Sequence, residues 1–261
     1  MGTSNQAGTT EYVQPEFVGR TDQLAALRSA VDDPPCGRIV VVSGPFGSGK
    51  TGLLNFASHY ALTRGLRVLA LAGSPGEVDT PFAALHQLLH ILDAGQRTSG
   101  SDTSEARAQR ELIDAVLRSA GDQQIETARV AMALLDLLAT QERREPVLLC
   151  IDDAHWLDER SRSALLFAAR RSSGRSLTVV VALPTAARWL AMDNRRTIDI
   201  ELPPLARRDA AALLDRQPSP PRGALREQII AQAAGCPAAL IAFAASAADE
   251  PTAGLLPEPP P

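Results

Sequence analysis

The chain has 261 residues, 45% of them apolar, and a formal net charge of −4. That length allows one large domain or two small ones with a real core, and the acidic balance excludes a nucleic-acid footprint. No apolar run reaches the 18 or more residues of a membrane span, no basic-then-apolar leader opens the sequence, and Cys36, Cys150 and Cys236 have no metal or disulfide spacing.

Cytoplasmic residence follows as the default. Residues 1–15 read as a disordered arm, and residues 17–32 as a short helix entered through Phe17-Val18-Gly19-Arg20. Arg38 to Ser43 is an apolar, β-branched run ending at a glycine, the pattern of a buried strand. Residues 51–64 carry Leu53, Leu54, Ala57 and Ala61 at helical spacing. A second strand follows at 67–72, then a helix over 81–92 with Pro81 in its first turn. Residues 96–105 are polar and read as a mobile loop, followed by helices near 105–120 and 123–141. Val147 to Ile151 is a strand running into Asp152-Asp153; a helix follows over 161–171, and strands over 176–183 and 198–202. These five strands are mostly continuously apolar rather than alternating, which predicts a parallel sheet covered on both faces. Composition shifts at Pro203-Pro204, after which helices are expected near 207–216, 222–234 and 238–248, with a stiff proline spacer at 217–221. The predicted fold is α/β: a five-stranded parallel sheet flanked by helices over 16–203, a small helical lid over 204–249, and a proline-rich tail over 250–261.

Lys50 is the sole lysine; every other residue in the Lys+Arg count of 26 is arginine. It stands in Gly44-Pro45-Phe46-Gly47-Ser48-Gly49-Lys50-Thr51, which fits the phosphate-binding pattern G-x-x-x-x-G-K-[ST] at every required position. Such a match arises by chance in roughly one chain of this length in a hundred. The strand before it and the helix after it are the context the motif needs. Glycines let the backbone approach phosphate, and the helix N-terminus adds N–H groups and a positive dipole end. Gly44 to Gly52 are therefore the predicted nucleotide loop. Lys50 serves the phosphates, and the Thr51 hydroxyl serves Mg²⁺. Asp152 and Asp153, ending an apolar strand about a hundred residues on, supply the second acidic element. Asp152 is the predicted Mg²⁺ partner, and Asp153 orients the attacking water.

Ile151-Asp152-Asp153-Ala154-His155-Trp156-Leu157-Asp158, followed by Ser161 and Leu165, resembles the Walker B block of AAA-like signal-transduction ATPases. More narrowly, it resembles the ATPase module of the large ATP-binding regulators of the LuxR family. Phe17-Val18-Gly19-Arg20 is similar to that family's opening box, which lies beside the adenine in relatives. Leu202-Pro203-Pro204-Leu205, with Asp209, Ala210, Ala212, Leu213 and Leu214, is similar to the passage into the lid. Gly235-Cys236-Pro237 is similar to the lid's Gly-x-Pro motif, which implies Pro237 near the base. The resemblance spans about residues 16–248.

Departures from the family pattern matter. Relatives end the strand after Walker B with an arginine that senses the γ-phosphate, whereas this one ends Ala182-Leu183-Pro184-Thr185, with Arg188 a turn further on. Asp22 stands where glutamate is common. The regulators continue into a winged helix, a helical-repeat sensor and a helix-turn-helix, none of which lies in these residues. The chain therefore reads as a fragment of such a regulator or as a stand-alone relative. His86 and His90 have the i, i+4 spacing of a zinc helix, but Gln87 replaces the glutamate of that motif and no third ligand is evident, so they read as surface residues. His155 and Trp156 either read the nucleotide state or pack the next helix entry. Arg170-Arg171 and Arg195-Arg196 read as solvated arginines.

The resulting expectation is an ATP·Mg²⁺-binding switch module, binding ATP or ADP, with slow or no hydrolysis. Its partners are the nucleotide, a second copy or the rest of a larger regulator; no direct DNA contact and no membrane are expected. The alternatives are a working ATPase or kinase-like phosphotransferase, and an interaction domain with a dead nucleotide site.

Overall fold

The computed structural model describes residues 17–32, 38–99, 123–142, 145–172, 177–185 and 197–249, with residues 104, 107 and 111 in helix. Five strands, β1 (Arg38–Ser43), β2 (Arg67–Ala72), β3 (Val147–Asp152), β4 (Leu177–Leu183) and β5 (Thr197–Glu201), form one sheet in the order β2-β3-β4-β1-β5. Every neighbouring pair is parallel. The helices are α1 (Thr21–Asp32), α2 (Lys50–Thr63), α3 (Ala83–Ser99), α4 (Gln123–Glu142), α5 (Glu159–Arg171), α6 (Arg207–Asp215), α7 (Gly223–Ala233) and α8 (Pro237–Asp249).

The period of two along each strand divides the core. Ile39, Val41, Leu149, Ile151, Val179 and Val181 face α3, α4 and α5 in one apolar cluster. Val40, Val42, Leu148, Cys150, Val180 and Ala182 face α1 and α2 in another. β1, β3 and β4 are thus buried on both faces and read as unbroken apolar runs, whereas the edge strands β2 and β5 keep exposed positions. A third cluster, built on Leu205, Leu214, Ile229, Leu240 and Phe243, holds α6, α7 and α8 together.

Element ends moved for identifiable reasons. The first helix begins at Thr21 rather than at 17, because Gly19 takes a left-handed φ of 65° that no helix continues through. α3 starts at Ala83, since Phe82 before it has φ 63°. It runs on to Ser99, over the first part of the segment expected to be loop, where no proline stops it. α5 begins two residues early, with Asp158 as its N-cap. The predicted arm (1–15), the 105–120 helix apart from residues 107 and 111, Arg188, Arg195-Arg196 and the tail (250–261) lie outside the described residues.

Strand order determines where ligand chemistry can sit. The chain leaves β1, crosses three positions to β2 at the far edge, returns through β3 and β4, and adds β5 on the other side of β1. The crevice at the carboxyl ends of the strands, where the winding reverses, is the usual ligand site of such sheets. Ser43, Asp152 and Leu183 all end their strands there.

Candidate functional site

The glycine loop leaves β1 at Gly44, whose N–H donates to Leu183 O at 3.3 Å. A Cβ on Gly44 would stand 2.7 Å from Ser48 Oγ and 3.0 Å from Leu202 O, so a larger residue there would push on the loop. Gly47 (φ 73°) and Gly49 (φ 98°) turn the backbone through the left-handed region. Lys50 opens α2, and its ammonium folds back to donate to Gly44 O and Pro45 O, both at 2.9 Å. Burial pulls Lys50 below the usual lysine range, and the facing charges of Asp153 and Asp152 oppose that shift. Ser48 Oγ is buried without a partner. Phe46, at the loop tip, is 85% exposed. Thr51 and Gly52 complete the first turn of α2, Gly52 facing the edge of the Phe17 ring.

The acidic element ends β3. Asp153 has a left-handed backbone, φ 44° and ψ 41°, and its N–H donates to Asp152 Oδ1 at 2.9 Å. The carboxylate of Asp152 is therefore aimed by its neighbour's amide. Gly73, just past β2, permits this: its N–H donates to Asp152 O, and a Cβ there would lie 2.3 Å from Asp153 O and 3.0 Å from Trp156 Cβ. The His155 and Trp156 rings meet at a tilt of 41° with centroids 4.7 Å apart, and His155 Nδ1 is buried without a partner.

The opening box and the lid form a cavity of about 210 Å³ beside the loop. Phe17, Val18, Arg20, Ser48, Gly49 and Gly52 line it from one side. Leu202, Leu205, Leu213, Pro237 and Ile241 line it from the other. Arg20, 5% exposed, donates to Ser48 O at 3.3 Å. Burial lowers its pKa, and the charge of Asp209 on α6 opposes that. Gly19 packs against the same side chain, with Asp209 Cγ 2.6 Å from where its Cβ would stand. The start of α8 rests on the loop itself: Ala238 N donates to Gly47 O at 3.2 Å, and Cys236 Sγ lies 3.8 Å from Phe46 O.

Of the residues predicted from sequence, Val18, Arg20, Ser48, Gly49, Gly52 and Pro237 line this cavity, and the charges of Asp153 and Asp152 act on Lys50 at the loop. Sequence reasoning missed Leu205, Leu213 and Ile241 as cavity wall, because they are separated from the loop by about 150 residues or more and look like ordinary lid core. It also missed the full role of Asp158. That carboxylate caps α5 through Ser161 N at 2.9 Å, and also accepts from Phe82 N at 2.8 Å and Ala84 N at 3.3 Å at the start of α3. Ser161 Oγ accepts from Leu85 N at 3.1 Å. The Asp-x-x-Ser spacing signals the first cap; nothing local signals the second.

Of the remaining residues, His86 and His90 are exposed on α3 with ring centroids 4.7 Å apart. Arg170 and Arg171 are exposed, with Arg171 over the Phe167 ring.

Among solved structures, a signal-transduction ATPase with numerous domains and a tetratricopeptide repeat sensor, from Pyrococcus horikoshii, matches 85% of this chain and 28% of its own, at 14% identity and a TM-score of 0.48. RuvB of Thermotoga maritima (R170A) matches 90% of this chain and 63% of its own, at 18% identity and a TM-score of 0.51. A HORMA:CdnC:Trip13 complex from E. coli matches 88% and 89%, at 14% identity and a TM-score of 0.45. The chain thus spans less than two thirds of the length of the first two. At its low identity the RuvB likeness shows the fold alone. No curated protein matches the chain in sequence. The family model described as "AAA ATPase domain" matches residues 16–181, well over half the chain, and the chain belongs to that family.

Proposed function

We propose that this chain is an ATP·Mg²⁺-binding regulatory switch module with slow hydrolysis, its core over 16–203 and its lid over 204–249. The observation that carries this reading is the apolar cavity between opening box and lid, set directly beside the glycine loop. A purine base suits such a cavity while its phosphates meet backbone N–H groups. Members of the AAA ATPase family bind ATP or ADP with Mg²⁺. The residues present fit those groups: the loop's glycines hold a phosphate-type curve, and the buried Ser48 hydroxyl has no partner of its own. Gly44 to Gly52 would hold the phosphates and Lys50 would offset their charge. Thr51 and Asp152 would hold Mg²⁺, which neutralises phosphate oxygens when bound. Asp153 would orient water. Val18, Gly19, Arg20 and Pro237 would wall the base.

Slow turnover is supported by the end of β4, Leu183-Pro184-Thr185, which carries no arginine toward the γ-phosphate. Cationic groups of that kind are worth about 10³ to 10⁵ in rate when supplied as an arginine finger. The resemblance to the LuxR-type regulators supports the regulatory context. In that context the partners are a second copy or the rest of a larger regulator in the cytoplasm, and this chain does not itself read DNA. The test is nucleotide content and hydrolysis of the purified chain, with and without Mg²⁺. Tight binding with turnover far below roughly 10 s⁻¹ is expected. Turnover of several per second would replace the switch with a working ATPase, and failure to bind would leave an interaction domain.

A further inference from the structure

Lys50 is the sole lysine of these 261 residues. Guanidinium groups stay protonated throughout the neutral range and are not acyl acceptors there. The chain's α-amino group is the one other amine of this kind. We infer that Lys50 is an acylation site and that acyl phosphates are the donor class its loop selects; this rests on the reading of Gly44 to Thr51 as a phosphate seat. Three observations converge. The side chain is half-buried at the loop mouth rather than spread on the surface, with its amine held on Gly44 O and Pro45 O. Gly47 and Gly49 turn the loop through the left-handed region, and the first-turn N–H groups of α2 lack intrahelical acceptors. A phosphoryl group seated there brings the acyl carbon attached to it beside the only side-chain amine in the chain.

The step balances without a further reagent. The Nζ lone pair attacks the acyl carbon, the C–N bond forms, and the acyl C–O bond to phosphate breaks. The two protons lost by the ammonium leave with inorganic phosphate as dihydrogen phosphate. The product is a neutral amide at Nζ, with no charge for a nucleotide's phosphates and extra bulk in their place. Acylation and nucleotide binding therefore exclude one another.

The whole chain is incubated with acetyl phosphate, with and without ATP·Mg²⁺. Peptide mass mapping then follows Lys50 and the α-amino group, and a fluorescent ATP analogue reports binding on the same samples. Acetic anhydride, which carries no phosphate, is the comparison donor. With acetyl phosphate, Lys50 is expected to react at least about tenfold faster than the α-amino group. ATP·Mg²⁺ should suppress that reaction, and analogue binding should fall with the acylated fraction. The preference should disappear with the anhydride. Equal preferences for the two donors, or no protection by ATP·Mg²⁺, in a chain that still binds the analogue would overturn the inference and leave the phosphate seat standing. A chain that binds no analogue before acylation sinks both.

Discussion

At the scale of single residues, the acidic pair is a division of labour between a side chain and a backbone. Asp153 is exposed, its N–H donates to Asp152 Oδ1, and its backbone sits at a left-handed φ of 44° that must be kept for that peptide to stay in place. Asparagine tolerates that backbone, whereas a β-branched residue does not. Asp153→Asn should therefore slow hydrolysis and leave Mg²⁺-dependent nucleotide affinity intact. Asp153→Val should also weaken Mg²⁺-dependent affinity and lower stability by about 1–3 kcal/mol. Paired binding titrations with and without Mg²⁺ separate the two; equal Mg²⁺ dependence in both variants would remove the backbone role. Cys150, at the back of β3, gives a pH test. Burial is the main force pushing its thiol from the usual 9.0 up to about 11, against a hydrogen bond from Ser58 Oγ at 3.4 Å. A raised folded-state pKa contributes stability that is fully present below pH 9.0 and lost as pH climbs toward 11. The contribution is on the order of 3 kcal/mol. Urea midpoints across this window should fall more steeply for the wild type than for Cys150→Ala, which lacks the titrating group.

At the scale of elements, one carboxylate joins two helix starts. Asp158 is 3% exposed and accepts three backbone N–H groups, from the first turns of α3 and α5. Helix starts leave donors unpaired, and burying them unpaired costs about 1–3 kcal/mol each. Asp158→Ala should lower stability by roughly 3 kcal/mol or more, and Asp158→Asn by less, since one amide oxygen still accepts. Denaturant unfolding measures both. A loss below about 1 kcal/mol for alanine would show that the double cap is not needed. Because Asp158 lies five residues beyond Asp153, the same loop that carries the acidic pair anchors the helices on that face of the sheet.

For the whole molecule, the cavity requires core and lid together. Arg20 and Asp209, and Gly47 and Ala238, meet across the join. A nucleotide in the cavity would add contacts to both sides. ATP or ADP at about a hundred times its dissociation constant should stabilise the fold by roughly 2.7 kcal/mol. For a chain of this size that raises the melting temperature by roughly 5–10 °C. Lys50→Ala should abolish the shift with little change to the ligand-free melting temperature. An identical shift in wild type and variant would take the glycine loop out of the binding site.

The loop, the acidic strand end and the parallel sheet were legible in the residues because each is written locally. A glycine pattern has a fixed spacing, and a strand buried on both faces must be apolar throughout. β1 and β2 were accordingly placed residue for residue. The starts of α3 and α5 were not, because both begin where Asp158 supplies acceptors, and one of those partners lies 76 residues away. The cavity was legible only on its box side and at Pro237. Leu205, Leu213 and Ile241 become its wall through folding of the lid over the loop, a juxtaposition set by packing and not by any pattern along the chain. Local chemistry thus determined what the loop and the aspartates are suited to hold, and tertiary packing decided what encloses them.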